Sequence, residues 1–300
     1  MSEAEQTEGL QGQAPGESAQ DIQSGQDLAN AVEILCNDQS ITVDGSPIGE
    51  DSNAAVYLQN VVENHPDVEE GLTDTVNRVI TITEPGQYRF SGALVDGQIR
   101  VDLDPSLQES TVIQLNGMTI ENRPAPGILV MSAYAPEEAG QAAVTIHSAA
   151  GTENAVTASH IAEYTDENGV EQDYDGAISA DVSILLSGAG QLSVTGDKEG
   201  IETKMHLTIE DGDYNIYAND DSLNASEDNV SVITINGGHI LANTTGGEEG
   251  DGIDSNGSIV INGGEVVAIA NETAMDSGLD SDLGITINGG KVIAVGNMYD

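Results

Sequence analysis

Short runs of alternating apolar and polar residues, separated by turn residues, fill most of this 300-residue chain. Residues 79–83 (VITIT), 87–90 (QYRF), 98–103 (QIRVDL), 112–115 (VIQL), 128–130 (ILV) and 144–146 (VTI) are predicted strands, and Asn116-Gly117 is a predicted turn. No helical pattern intervenes among them, which excludes a doubly wound α/β sheet and leaves a β-sandwich, a barrel or a β-helix. Upstream, Leu28, Ala31, Val32 and Leu35 fall at helical spacing, so a short amphipathic helix is expected over residues 27–35. Weaker strand signals follow at residues 41–43 and 56–58, while residues 1–25 carry little to bury. The expected organisation is a disordered acidic tail (1–25), an N-terminal helix and entry or capping segment (26–77), and one repetitive β unit (78–300).

The repeat decides among the β architectures. Ile233-Thr234-Ile235-Asn236-Gly237-Gly238 recurs 26 residues later as Ile259-Val260-Ile261-Asn262-Gly263-Gly264, and again 26 later as Ile285-Thr286-Ile287-Asn288-Gly289-Gly290. Leu207-Thr208-Ile209-Glu210-Asp211-Gly212 is a degenerate copy 26 residues before the first. A second phrase places Ala177, Ile201, Leu223, Ile253 and Leu279 in one register, with spacings of 24, 22, 30 and 26 residues. Each copy holds about three short strands, too few for a core of its own and suited to one coil of a parallel β-helix. Those aliphatic residues are expected to stack inward, with Ser179, Thr203, Ala225, Ser255 and Ser281 as a small-residue stack two positions on. Asn236, Asn262 and Asn288 are expected to stack at a corner, the glycine pairs after them supplying positive φ.

Composition adds a strong constraint. Lys+Arg total 7 against 52 Asp+Glu, a net charge of −45. Such a surface repels nucleic acid and anionic membranes and attracts cations. Cys36 is the single cysteine, so no intrachain disulfide forms, and the five histidines fall in no metal spacing. No apolar run approaches the length of a membrane span, and the N-terminus lacks the basic start and apolar centre of a signal peptide.

The acidic residues are not scattered. Ile178, Glu202, Asn224, Asp254 and Asp280 fall in one expected column, and Asp175, Glu199, Asp221, Asp251 and Ser277 in another, with Asp220, Asp276 and Asp282 beside them. Unit charges one coil apart, about 4.8 Å, repel by roughly 1 kcal/mol in water and 3 to 4 kcal/mol at an effective dielectric of 20. Asp175, Glu199, Glu202, Asp220, Asp221, Asn224, Asp251, Asp254, Asp276, Asp280 and Asp282 are therefore candidate ligands of a hard divalent cation, Ca²⁺ foremost, which takes six to eight oxygens. A salt-adapted acidic surface with no site is the other reading.

From residue 78 to about 296 the ordered series of phrases resembles a known family. Val79-Ile80-Thr81-Ile82 with Pro85-Gly86-Gln87-Tyr88-Arg89-Phe90-Ser91-Gly92 is close to that family's "TIT…GTYVLSG", and residues 96–101, 115–120, 151–154 and 175–179 continue the likeness into the DGI and NGG coils. The family is that of bacterial extracellular carbohydrate-binding domain-containing proteins, described as binding cellulose and acidic sugars. The resemblance implies a single-stranded right-handed parallel β-helix like that of pectate lyases, an extracellular or cell-surface location, calcium at the coil turns, and polysaccharide binding without catalysis. The sequence departs from the family pattern at Asp220-Asp221-Ser222-Leu223 and Asp276-Ser277-Gly278-Leu279, which replace clean DGI phrases.

Three functions are weighed. In a calcium-stabilised polysaccharide-binding module, Ca²⁺ bridges protein carboxylates to an acidic sugar, and Tyr217, in an outward column with Asn243, Ile269 and Val295, offers a sugar platform. A calcium-dependent lyase acting on uronates needs a basic residue beside the metal, and only Lys198 and Lys204 flank the Glu199/Glu202 coil, where a salt bridge with those glutamates is the plainer role. A structural protein self-associates through the C-terminal coil or the outward apolar columns Leu241/Val267/Ile293 and Asn243/Ile269/Val295, unless the N-terminal helix covers that face.

Overall fold

A computed structural model describes residues 28, 30–37, 40–63, 75–136, 138–165, 171–244, 250–271 and 275–297. The expected acidic tail lies outside these residues. The chain winds as a right-handed parallel β-helix whose coils lay down three faces. The first face stacks Thr75–Ile82, Gly97–Asp102, Ile128–Ser132, Gly176–Ala180, Glu199–Thr203, Leu223–Ala225 and Ile253–Ser255. The second carries Gln87–Val95, the start of Thr111–Asn122, then Val144–Ser148, Ile184–Ser187, His206–Ile209, Val232–Ile235, Ser258–Ile261 and Gly284–Ile287. The third runs from the end of Thr111–Asn122 through Glu153–Ala158, Gln191–Gly196, Asp213–Ala218, His239–Thr244 and Glu265–Ile269 to Lys291–Val295.

The faces send aliphatic columns inward, because parallel in-register strands align like residues. Ile80, Ile99, Ile128, Ile178, Ile201, Leu223 and Ile253 form the first, and Leu279 joins it through a bridge to Ile253. Ile113, Ile146, Leu186, Ile209, Ile235, Ile261 and Ile287 form the second. Apart from the last coil these side chains are fully buried. On that coil Ile285 is 42% exposed and Ile287 more so, although both repeat core positions.

Two sequence expectations are corrected by this register. The first copy is displaced by one residue: Ile178, not Ala177, pairs with Ile201, so Ala180, not Ser179, belongs with Thr203. The larger side chain fills the interior slot. The segment expected to be a helix contains the strand Val32–Cys36, parallel to Gln87–Val95 and antiparallel to Ile41–Val43. Ile34 and Cys36 face the core while Leu35 is exposed, so the two-residue alternation overrides the helical spacing of Leu28, Val32 and Leu35. This strand closes the N-terminal end, with the antiparallel pair Val56–Glu63 and Thr75–Ile82 on the first face. It therefore does not cover the C-terminal coil.

The NGG corner works as a unit. Asn288 donates from Nδ2 to Asn262 Oδ1 and Asn262 from Nδ2 to Asn236 Oδ1, both at 2.8 Å, and Asn236 donates to Glu210 Oε1 at 3.0 Å. The two glycines have different duties. Gly264 takes φ +84°, whereas Gly263 leaves no room: a Cβ there lies 2.5 Å from the Asn236 carbonyl oxygen of the preceding coil. Gly263→Ala is expected to cost about 1–3 kcal/mol by overpacking against rigid backbone. Urea denaturation checks this, and an unchanged midpoint contradicts it.

Candidate metal centre

The corner leading into the first face gathers the acidic residues. Extending the paired register two residues back along each strand places Gly176, Glu199, Asp221, Asp251 and Ser277 in one column. Three residues on, Ser179, Glu202, Asn224, Asp254 and Asp280 form the second. Two expected members move by the same one-residue shift. Ser179, not Ile178, stands in the second column, and its hydroxyl donates to Glu202 Oε2 at 2.6 Å. Asp175 steps out of the first column to ion-pair with Lys198.

Asp251, Asp254 and Asp280 each offer a carboxylate oxygen within 4.8 Å of the other two, and all three are half-buried. The donors are one residue of the first column, its partner three residues on, and the next rung of the second column. Asp276 and Asp282 act electrostatically on this group, and Asp220 acts on Asp254. Asp276 also accepts the Gly250 amide at 2.6 Å.

Burial is the main influence on these acids. It pushes the Asp251 and Asp254 carboxyls up to about 7, reinforced by their aspartate neighbours and opposed by the Ser277 and Ser255 amides respectively. Asp221 rises to about 8 for the same reason, although it accepts the Asp251 amide at 2.7 Å. Glu199 and Glu202, buried one coil earlier, are also raised, Glu199 well above the carboxylate range. Carboxyls held this way take either protons or a cation at neutral pH.

Among the described residues no basic side chain forms an ion pair with the aspartate group. Lys198 pairs with Asp175, and Lys204 pairs with Asp181 at 3.1 Å while lying 5.0 Å over the Tyr174 ring. The expected salt bridges of these lysines with Glu199 and Glu202 are thus replaced by aspartate partners. Lys291 pairs with Glu265, Arg89 with Glu33 and Arg123 with Asp96. Arg78 donates to the Asn37 and Val95 carbonyls, and Arg100 to Gln98.

The third face differs in character. Tyr217 is 37% exposed and stacks in register with Thr195, Asn243, Ile269 and Val295. The adjacent outward column runs Ser193, Asn215, Leu241, Val267 and Ile293. Neither stretch carries a charge, in a chain of net charge −45. Among the described residues no helix is long and apolar enough to cross a membrane.

Comparison with known proteins agrees with this architecture. A protein from Acetivibrio thermocellus described as a carbohydrate-binding domain-containing protein is 31% identical over 169 residues, covering 56% of this chain and 54% of the relative. The chain therefore spans about half the length of that relative. A solved structure described as the polysaccharide lyase-like protein from C. thermocellum, gadolinium derivative, superposes with a TM-score of 0.56 over 90% of this chain and 100% of the other, at 22% identity. That likeness concerns the fold. A family model described as carbohydrate-binding domain-containing protein matches residues 76–298, and the chain belongs to that family.

Proposed function

We propose that this chain is an extracellular, non-catalytic, polysaccharide-binding β-helix in which Ca²⁺ clamps successive coils through Asp251, Asp254 and Asp280. The carrying observation is the convergence of those three half-buried carboxylates within 4.8 Å, with no ion-paired basic side chain among the described residues. Three carboxylates with water or turn carbonyls provide the all-oxygen, flexible coordination that suits Ca²⁺. The family description, together with that of the A. thermocellus relative, supports carbohydrate as the partner. A bound cation lets so acidic a chain hold the carboxylates of an acidic sugar polymer, while the uncharged Tyr217 face suits a neutral chain such as cellulose.

Affinity electrophoresis through polygalacturonate and through a soluble cellulose derivative, each with Ca²⁺ and with chelator, tests this reading. Retardation by polygalacturonate is expected only with Ca²⁺. Retardation by the cellulose derivative is expected to persist in chelator and to weaken by roughly 1 kcal/mol in Tyr217→Ala. No retardation in either gel overturns the proposal. Steady release of unsaturated products from polygalacturonate overturns its non-catalytic part.

A further inference from the structure

The solenoid repeats the donor arrangement of the aspartate group. Moving back one coil converts Asp251/Asp254/Asp280 into Asp221/Asn224/Asp254, and moving back two gives Glu199/Glu202/Asn224. The intermediate set shares Asp254 with the first and Asn224 with the last. The two outer sets share no residue. Ions in adjacent sets would compete for one ligand about 4.8 Å apart, whereas ions two coils apart each keep a full set at half the mutual repulsion. The rule ends there, because the next coil back offers Gly176 and Ser179.

The inner set carries a feature that the register alone does not supply. Glu199 is 5% exposed and Asn224 9% exposed. Asn224 Nδ2 donates to Glu199 Oε1 at 2.8 Å, which orients both groups. Glu199 Oε2 and Asn224 Oδ1 are nevertheless buried without any hydrogen-bond partner, as is Asp175 Oδ1 nearby. Buried acceptors left bare are costly, and these lone pairs belong to one neighbourhood, since Glu202, Asp221 and Asp175 all act electrostatically on Glu199. Glu202 adjoins them, its Oε2 held by the Asp175 amide at 3.0 Å and by the Ser179 hydroxyl. Two lysines lie in this neighbourhood: Lys198 is committed to the other oxygen of Asp175, and Lys204, which acts electrostatically on Glu202, is ion-paired with Asp181.

We infer that Glu199, Glu202 and Asn224 form a second divalent-cation centre, two coils from the aspartate centre and independent of it, with Glu199 Oε2 and Asn224 Oδ1 as its buried donors. The inference rests on the proposed function only for the identity of the ion. With two carboxylates and an amide in place of three carboxylates, this centre binds more weakly than the first.

Calorimetric titration of the full chain with CaCl₂ alone separates the two. Wild type is expected to take up two ions, and Asp280→Ala and Glu202→Ala one each. In an Asp254→Ala background, which takes a donor from the first and intermediate sets, one ion is still expected. Adding Asn224→Asp to that background is expected to tighten its binding about tenfold, a gain that misfolding does not produce. Uptake of one ion by wild type, lost in Asp280→Ala and unchanged in Glu202→Ala, overturns the second centre and leaves the first. The converse pattern, binding lost in Glu202→Ala and kept in Asp280→Ala, overturns the first and leaves the second. Absence of binding in the Asp254→Ala background, with circular dichroism unchanged, also overturns the second centre.

Discussion

In Ca²⁺ the chain is expected to unfold at a markedly higher temperature than in chelator. An ion that binds only the folded state stabilises it by about 2.7 kcal/mol when present at a hundred times its dissociation constant. The gap is also expected to depend on pH. Burial holds the Asp221 carboxyl at about 8 and those of Asp251 and Asp254 at about 7, against about 3.9 in an unfolded chain. Groups raised on folding favour the fold when protonated. Their contribution is complete below about pH 4 and is lost as the pH rises through 7 and 8. In chelator, the fold therefore weakens along this part of the pH scale. On the proposed function, bound Ca²⁺ would take the place of the protons and remove the loss. Scanning calorimetry at about pH 5 and about pH 8, with Ca²⁺ and with chelator, should show a gap that widens toward alkali. Equal midpoints at the higher pH would mean that the acidic columns are a salt-adapted surface.

The second large effect concerns two copies of one phrase. Ile259 and Ile285 pair across adjacent coils, yet Ile259 is fully buried and Ile285 is 42% exposed. Ile259→Ala removes a side chain packed on all sides and leaves a cavity, with an expected loss of about 2–5 kcal/mol. Ile285→Ala, at the same place in the phrase, is expected to cost less than about 1 kcal/mol. Denaturant midpoints of the two variants, taken in saturating Ca²⁺, make the comparison. Equal losses would show that Ile285 is covered in solution, and light scattering would then identify a second copy as the cover.

Much of this architecture is legible in the chain. The 26-residue period, the aliphatic stack from Ile201 onward and the asparagine corner all follow from residue types that recur in the same order through the last coils. The first copy is misread because Gly176-Ala177-Ile178 offers two apolar residues after its glycine, and aligning on the glycine selects the smaller one. Packing selects Ile178, and with it Ser179 enters the acidic column. Residues 27–35 are misread because Leu28, Val32 and Leu35 satisfy a helical period, while Val32, Ile34 and Cys36 satisfy a strand period. The unpaired strand edge of Gln87–Val95 decides between them, and that edge is created by residues far along the chain. Sequence spacing does single out the acidic positions. It does not reveal which are enclosed: the bare oxygens of Glu199 and Asn224 emerge only from hydrogen bonds across coils.

The shared register of core and acidic columns links two properties that usually vary separately. A single 26-residue duplication in this part of the chain lengthens the oily interior by one rung and the outer row of oxygen donors by one rung at the same time. Tandem copying of the underlying DNA would thus change the number of donor rungs and the length in fixed proportion, and on the inferred spacing it would add one non-overlapping ion position with every second copy. Point substitution would then tune what copying supplies: Asn224 stands in the column where the next rung carries Asp254. Comparing members of the family by coil number should therefore reveal ion content that rises in steps of two coils.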